Sequence, residues 1–129
     1  VAIAVREGVT EVRFTGGEPL LRRGLVSIVE RVSALPSEPR TTVTTNGIGL
    51  ANVLPALAAA GLHRVNVSLD TLDPERFARI ARRDRLADVL DGLAGAVDEL
   101  ETRLEVEGED RHVDLADDRL GSAVASANI

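Results

Sequence analysis

Three short polar segments carry the residue types that could bind a nucleotide or an amino acid. They are "TGGEP" (15–19), "TTNG" (44–47) and "SLD" (68–70), and each follows an apolar or β-branched run. Gly16 and Gly17 would let the backbone lie against a ligand and aim its N–H groups at it. Glu18 has no partner nearby in sequence, so its carboxylate is available to a cation such as an ammonium group. Thr44 and Ser68 add neutral hydrogen-bonding groups suited to ribose, carboxylate or base edges.

Arg13 extends this set. It lies two residues before Thr15, so strand alternation places both side chains on one face. Near the end of a strand, its guanidinium is suited to a phosphate or carboxylate. Each feature also has a simpler interpretation: a tight turn at the glycines, a helix cap at Ser68, and a surface ion pair at Arg13.

The elements that would position these residues alternate between helix and strand. The patterns predict strands over 9–15, 41–47 and 63–70, and helices over 1–8, 19–32, 51–61, 73–82 and 85–100, with Pro55 in a first helical turn. Strands separated by single helices pair in parallel through right-handed crossovers, so their polar ends lie on one rim. The predicted fold class is therefore α/β, either a layer or an arc of a (β/α) barrel with about three parallel strands and flanking helices.

Composition limits the functional classes. A chain of 129 residues that is 44% hydrophobic favours one domain with a real core, here residues 1–97. Residues 98–119 hold ten acids and three arginines, so 98–129 is predicted to be a divergent acidic tail, either a weak hairpin around 104–115 or disordered. With no basic face, two Phe and no Trp or Tyr, nucleic-acid binding is disfavoured. The sequence contains no apolar run of membrane-spanning length and no signal-peptide pattern, which predicts a cytoplasmic protein without membrane contact.

Taken together, "VRFTGGEPLLRR", "TTNG" and "NVSLDTLD" resemble the radical S-adenosylmethionine (SAM) enzymes, and within them the GTP 3',8-cyclase family of molybdenum cofactor biosynthesis. The similarity spans about residues 1–97. It implies part of an incomplete (β/α) barrel and the small-molecule partners SAM and GTP, and it leaves the oligomeric state open.

The resemblance also implies roles for individual residues. Gly17 would contact SAM, with Gly16 and Glu18 holding its amino acid end, and Ser68 would contact SAM from the third strand. The GTP substrate would be contacted by Arg13 and Thr44. No catalytic or metal-ligating residue is carried over.

The implied reaction converts GTP to (8S)-3',8-cyclo-7,8-dihydroguanosine 5'-triphosphate and uses a [4Fe–4S] cluster with SAM. The family's CxxxCxxC cluster motif lies upstream of anything in this chain, which contains no Cys and so cannot supply thiolate ligands. The sequence is therefore expected to be an internal fragment, truncated or shifted out of frame at its end, and inactive alone. Two alternatives remain open: another radical SAM enzyme, or a cluster-free module that binds SAM or a nucleotide.

Overall fold

A single sheet organises the chain in the computed structural model, which describes residues 1–82, 84–106 and 112–114. The strand order is β1-β2-β3-β4-β5, with the first four strands parallel and the last antiparallel. The strands are β1 (Glu11–Phe14), β2 (Arg40–Thr45), β3 (Arg64–Leu69), β4 (Glu101–Val106) and β5 (His112–Asp114). The helices are α1 (Ala2–Arg6), α2 (Leu25–Ser33), α3 (Leu50–Ala59), α4 (Pro74–Ala81) and α5 (Leu86–Glu99).

The core lies between one face of the sheet and the helices. Val43 of β2 and Val65 and Val67 of β3 are fully buried there. They pack in one cluster with apolar residues of α2, α3, α4 and α5, namely Leu25, Val29, Leu50, Leu54, Leu57, Phe77, Leu86, Val89, Leu93 and Ala96. Burial of these aliphatic groups stabilises the fold by removing apolar surface from water. It also fixes which residues of each strand face away from the helices.

The opposite face of the sheet is polar. Side chains alternate along a strand, so residues flanking the buried valines point to this second face. In the register of the parallel strands, Arg13 is paired with Thr42, and Thr44 is paired with Asn66. Sequential parallel strands with helices on one side form an arc of a (β/α) barrel, whose second face becomes the barrel interior. The predicted fold class is thus confirmed.

The sheet extends beyond the three strands predicted from sequence. Strand β4 pairs in parallel with β3 along its whole length, because α5 returns the chain to the same edge. Within the described residues, β4 also pairs with β5 in an antiparallel arrangement, at the position of the suggested hairpin. Residues 107–111 and 115–129 of the predicted tail lie outside the described residues, and the domain boundary at residue 97 stays a prediction.

Two helix predictions need correction. The helix predicted over 19–32 divides into a 3₁₀ turn, Pro19–Leu21, and α2, because Gly24 precedes α2 with a φ of +83°. Such a left-handed conformation interrupts a helix and favours glycine. Pro55 is the sixth residue of α3 rather than part of its first turn. The ring is exposed, so the helix loses one backbone hydrogen bond on its solvent side without disturbing the core.

Candidate functional site

Glu18 connects the ends of the first two strands. Its Oε1 accepts hydrogen bonds from the Leu20 backbone N–H (3.0 Å) and from the Thr45 hydroxyl (2.6 Å). Its Oε2 accepts one from the Asn46 backbone N–H (2.9 Å). The sequence offered no partner for this carboxylate, because Thr45 lies 27 residues away. Glu18 therefore positions the loop after β1 against the end of β2, and the one acceptor position left on its Oε2 can still face a ligand.

The loop after β2 is held by its own side chains as well. The Thr45 hydroxyl accepts a hydrogen bond from Gly47 N–H (3.1 Å), and Asn46 Oδ1 accepts one from Ile48 N–H (2.9 Å). Gly47 has a φ of +81°, and a side-chain carbon there would lie 2.8 Å from Val89 Cγ1. This position thus requires glycine both for its conformation and for close packing.

Gly16 and Gly17 differ from Gly47 in having open space around them. Both have positive φ, +94° and +53°, and no heavy atom lies within 4 Å of the place a side-chain carbon would occupy. The positive φ favours glycine at both positions, while packing within the protein sets no limit there. The open space leaves room for a ligand to approach the backbone directly.

Arg13 and Gly16 line one cleft together with Glu18. The cleft has a volume of about 400 Å³ and is also lined by residues that the sequence had not singled out, including Arg22 and Ile28.

The Arg13 guanidinium is paired with the Glu11 carboxylate at 3.5 Å, and the two side chains are 55% and 45% exposed. Exposed pairs of this kind contribute little free energy, so an anionic ligand could replace Glu11 at small cost.

Thr44 and Ser68 lie on the polar face but outside the lining of that cleft. Thr44 is half-buried and pairs with Asn66 of β3. Ser68 lies two residues further along β3 and is exposed. Ser68 does not cap the next helix, since Asp73 performs that task by accepting a hydrogen bond from Arg76 N–H at 2.7 Å. The simpler interpretation of Ser68 as a helix cap is therefore removed.

Sequence reasoning missed a second support of this rim. Asp88 of α5 accepts hydrogen bonds at Oδ2 from the Gly49 backbone N–H (2.9 Å) and from Arg85 (2.7 Å). The Gly49 N–H, followed by Arg85, holds the pKa of Asp88 below its usual value despite partial burial. The i,i+3 spacing of Arg85 and Asp88 is visible in the sequence, but the contact with Gly49 depends on how α5 packs.

The donor set does not fit an iron–sulfur cluster. The chain has no cysteine, and the described residues contain no group of three or more His, Asp or Glu placed to hold a metal ion. The residues around Gly16–Glu18 do fit the amino acid part of SAM, because open backbone and a carboxylate are the groups that bind a zwitterion. Within the described part of the chain, no helix is long and apolar enough to cross a membrane.

Parallel strands with helices on one face, and with polar groups at their carboxyl ends, are the architecture of an arc of a (β/α) barrel. Residues 1–104 match the family model described as "Radical SAM superfamily". The chain belongs to this superfamily, as its resemblance had indicated, and membership implies SAM and a [4Fe–4S] cluster in the complete enzyme.

Curated relatives at high identity carry one activity in their names. The chain is 66% identical over 89 residues to the "GTP 3',8-cyclase" of Streptomyces coelicolor, covering 69% of this chain and 26% of that protein. It is 63% identical over 91 residues to the enzyme of the same name from Mycobacterium marinum, covering 70% and 25%. It is 59% identical over 97 residues to "GTP 3',8-cyclase 2" of Mycobacterium bovis, covering 74% and 27%. The chain thus spans about a quarter of the length of the relatives that it matches.

Proposed function

We propose that this chain is the part of a GTP 3',8-cyclase that binds SAM and one side of GTP. The observation that carries the proposal is the arrangement at the sheet's rim: Glu18 fixes the glycine loop to the end of β2, the strand that carries Thr44, and Arg13 lies on the adjacent strand. Relatives named for this activity, about 60% identical, support the choice of substrate. The protein would act in the cytoplasm, where both small molecules occur.

SAM would bind at the glycine loop and the end of β3. Gly16 and Gly17 would offer N–H groups to its carboxylate, and the remaining acceptor position on Glu18 Oε2 would face its ammonium group. Ser68 would hydrogen-bond to the same molecule from the neighbouring strand. The three bonds that Glu18 already accepts keep its carboxylate in one position, which reduces the entropy lost on binding.

GTP would be held by the guanidinium of Arg13 and the hydroxyl of Thr44. Arg13 lies two residues further from the rim than Thr44, because it pairs with Thr42. This separation is about 7 Å along the strand, so the two residues would contact different parts of one nucleotide. On binding, Arg13 would exchange the Glu11 carboxylate for an anionic group of the substrate.

The radical chemistry of the complete enzyme requires a cluster that this chain has no thiolates to hold. The chain's own residues would therefore bind and orient the two ligands without turning them over. We expect no cyclised product from this chain alone.

The test is a pair of NMR titrations of the chain, one with SAM and one with GTP, repeated on Arg13→Gln and Ser68→Ala. The proposal predicts a crossed pattern: Arg13→Gln weakens GTP binding and spares SAM, whereas Ser68→Ala weakens SAM binding and spares GTP. Arg31→Gln, in an exposed position of α2, serves as the charge-matched control and should change neither. Equal effects of each variant on both ligands would contradict the assignment.

The absence of cysteine gives one specific argument for a second candidate, a cluster-free binding module for SAM or a nucleotide. Another radical SAM enzyme would bind SAM at the same loop but would not require Arg13 or Thr44 for GTP. The same titrations separate the three. Tight binding of SAM or of a nucleotide by the chain alone favours the module, whereas weak binding of SAM without any binding of GTP favours a different radical SAM enzyme.

A further inference from the structure

Asn66 is a buried polar residue whose amide oxygen has no hydrogen-bond partner. It lies in the middle of β3, it is 5% exposed, and its Oδ1 is buried without a hydrogen-bond partner. Among the described residues, this is the one buried side-chain polar atom left unsatisfied. A buried acceptor without a donor costs free energy, so its presence requires an explanation.

The position of Asn66 indicates what the missing donor is. Val65 and Val67 belong to the core under the helices, so Asn66 points to the polar face with Ser68. In the register, Asn66 is paired directly with Thr44 and lies two residues further from the rim than Ser68. The orphaned oxygen thus lies beside a proposed GTP contact and on the same strand as a proposed SAM contact.

We propose that Asn66 is a further ligand-binding residue and that its Oδ1 accepts a hydrogen bond from a ribose hydroxyl of a bound nucleoside. This inference rests on the proposed function and extends it. An amide oxygen prefers a neutral O–H or N–H donor, and a ribose hydroxyl is a donor common to SAM and GTP. A residue with this role stays unpaired until the ligand arrives and the enclosed amide turns toward it, which accounts for the buried, unsatisfied atom.

The central variant is Asn66→Leu, which keeps the branched shape of the side chain, with larger end groups, and removes the amide. Since it replaces an unpaired buried acceptor by an apolar group, its thermal unfolding midpoint should rise relative to the unchanged chain. Its affinity for one of the two ligands should fall by between about twofold and about tenfold, the range for one lost hydrogen bond. Thr41→Val is the control, because Thr41 is buried on the helix face and its hydroxyl is bonded to the Gly61 carbonyl (2.9 Å). It should lower the midpoint and leave both affinities unchanged.

The readout is the NMR signal of the Asn66 side-chain amide during titration with SAM and, separately, with GTP. This measurement uses the unchanged chain, so the proposal remains testable if Asn66→Leu fails to fold. A shift with GTP identifies the substrate ribose, and weaker binding of 2'-deoxy- or 3'-deoxy-GTP then identifies the hydroxyl. A shift with SAM identifies the cofactor ribose instead.

Two outcomes overturn the inference in distinguishable ways. If the backbone amides of Gly16 and Gly17 shift while the Asn66 amide does not, and Asn66→Leu binds normally, the proposed function stands and Asn66 has no part in binding. If no signal shifts with either ligand at millimolar concentration, the proposed function itself is wrong, and the role of Asn66 is wrong with it.

Discussion

Replacement of Glu18 by Gln tests whether one carboxylate holds the rim together. The carboxylate accepts hydrogen bonds from Leu20 N–H, Thr45 hydroxyl and Asn46 N–H, which join the loop after β1 to the loop after β2. Gln can keep its carbonyl oxygen toward Leu20 and Thr45. Its NH₂ group then faces the Asn46 N–H, so a donor meets a donor.

The size of the effect follows from these bonds. One charge-assisted hydrogen bond is lost, and two become neutral hydrogen bonds of about half the strength. A bond to a charged group contributes about 1.5–3 kcal/mol, and Glu18 is half-buried, so we expect Glu18→Gln to lower the free energy of unfolding by about 2 kcal/mol. For a chain of this size the melting temperature would fall by roughly 8 °C.

Urea unfolding followed by far-ultraviolet circular dichroism measures this change. The control is Glu30→Gln, which removes a carboxylate from an exposed position of α2. Surface substitutions of that kind stay within about 0.5 kcal/mol of the parent. If Glu18→Gln is no more destabilising than Glu30→Gln, the three hydrogen bonds do not hold the rim, and the reasoning fails.

Three further perturbations address the supports behind the rim. The pKa of the Asp88 carboxyl is lowered in the folded state, so its charge stabilises the fold above the unfolded pKa, and this stability is lost as the pH falls below about 4. Asp88→Asn should therefore flatten the fall in stability between about pH 5 and 3, measured by urea unfolding. An unchanged slope would refute this. Gly47→Ala should destabilise the fold by about 2–4 kcal/mol, because the new methyl group overpacks the core and the residue has a positive φ. Gly16→Ala has open space around it and should cost only about 1 kcal/mol of stability. Equal losses of stability in thermal unfolding would contradict the packing difference. Gly92→Ala should destabilise the fold by about 1–3 kcal/mol, because its new carbon would lie 2.8 Å from Leu50 Cβ. Gly95→Ala should be close to neutral, because its nearest neighbour is the flexible end of the Leu54 side chain. The opposite order of stabilities would contradict the close packing of α5 on α3 at Gly92.

The alternation of helices and strands was predictable because each element repeats its apolar residues at its own period. Strand alternation also predicted a shared face for Arg13 and Thr15, and parallel pairing predicted that the polar strand ends holding Thr44 and Ser68 lie on one rim. The sequence could not reveal that Glu18 bonds to Thr45, since a contact between residues 27 apart depends on the register of two strands.

The fourth parallel strand was missed for a related reason. Its acidic residues, such as Glu101 and Glu105, made the segment resemble a tail. A strand that faces a polar barrel interior does not need the continuous apolar pattern of a doubly covered strand. The burial of Asn66 was hidden as well, although its spacing of two residues from Ser68 indicates a shared face.

The most direct test of the central claim is a backbone amide NMR map of the unchanged chain with SAM and with GTP added separately. The account predicts that SAM shifts the signals of Gly16, Gly17 and Ser68, and that GTP shifts those of Arg13 and Thr44. Shifts confined to the helices, or no shift with either ligand, would contradict the claim that the polar rim of this sheet binds the two molecules.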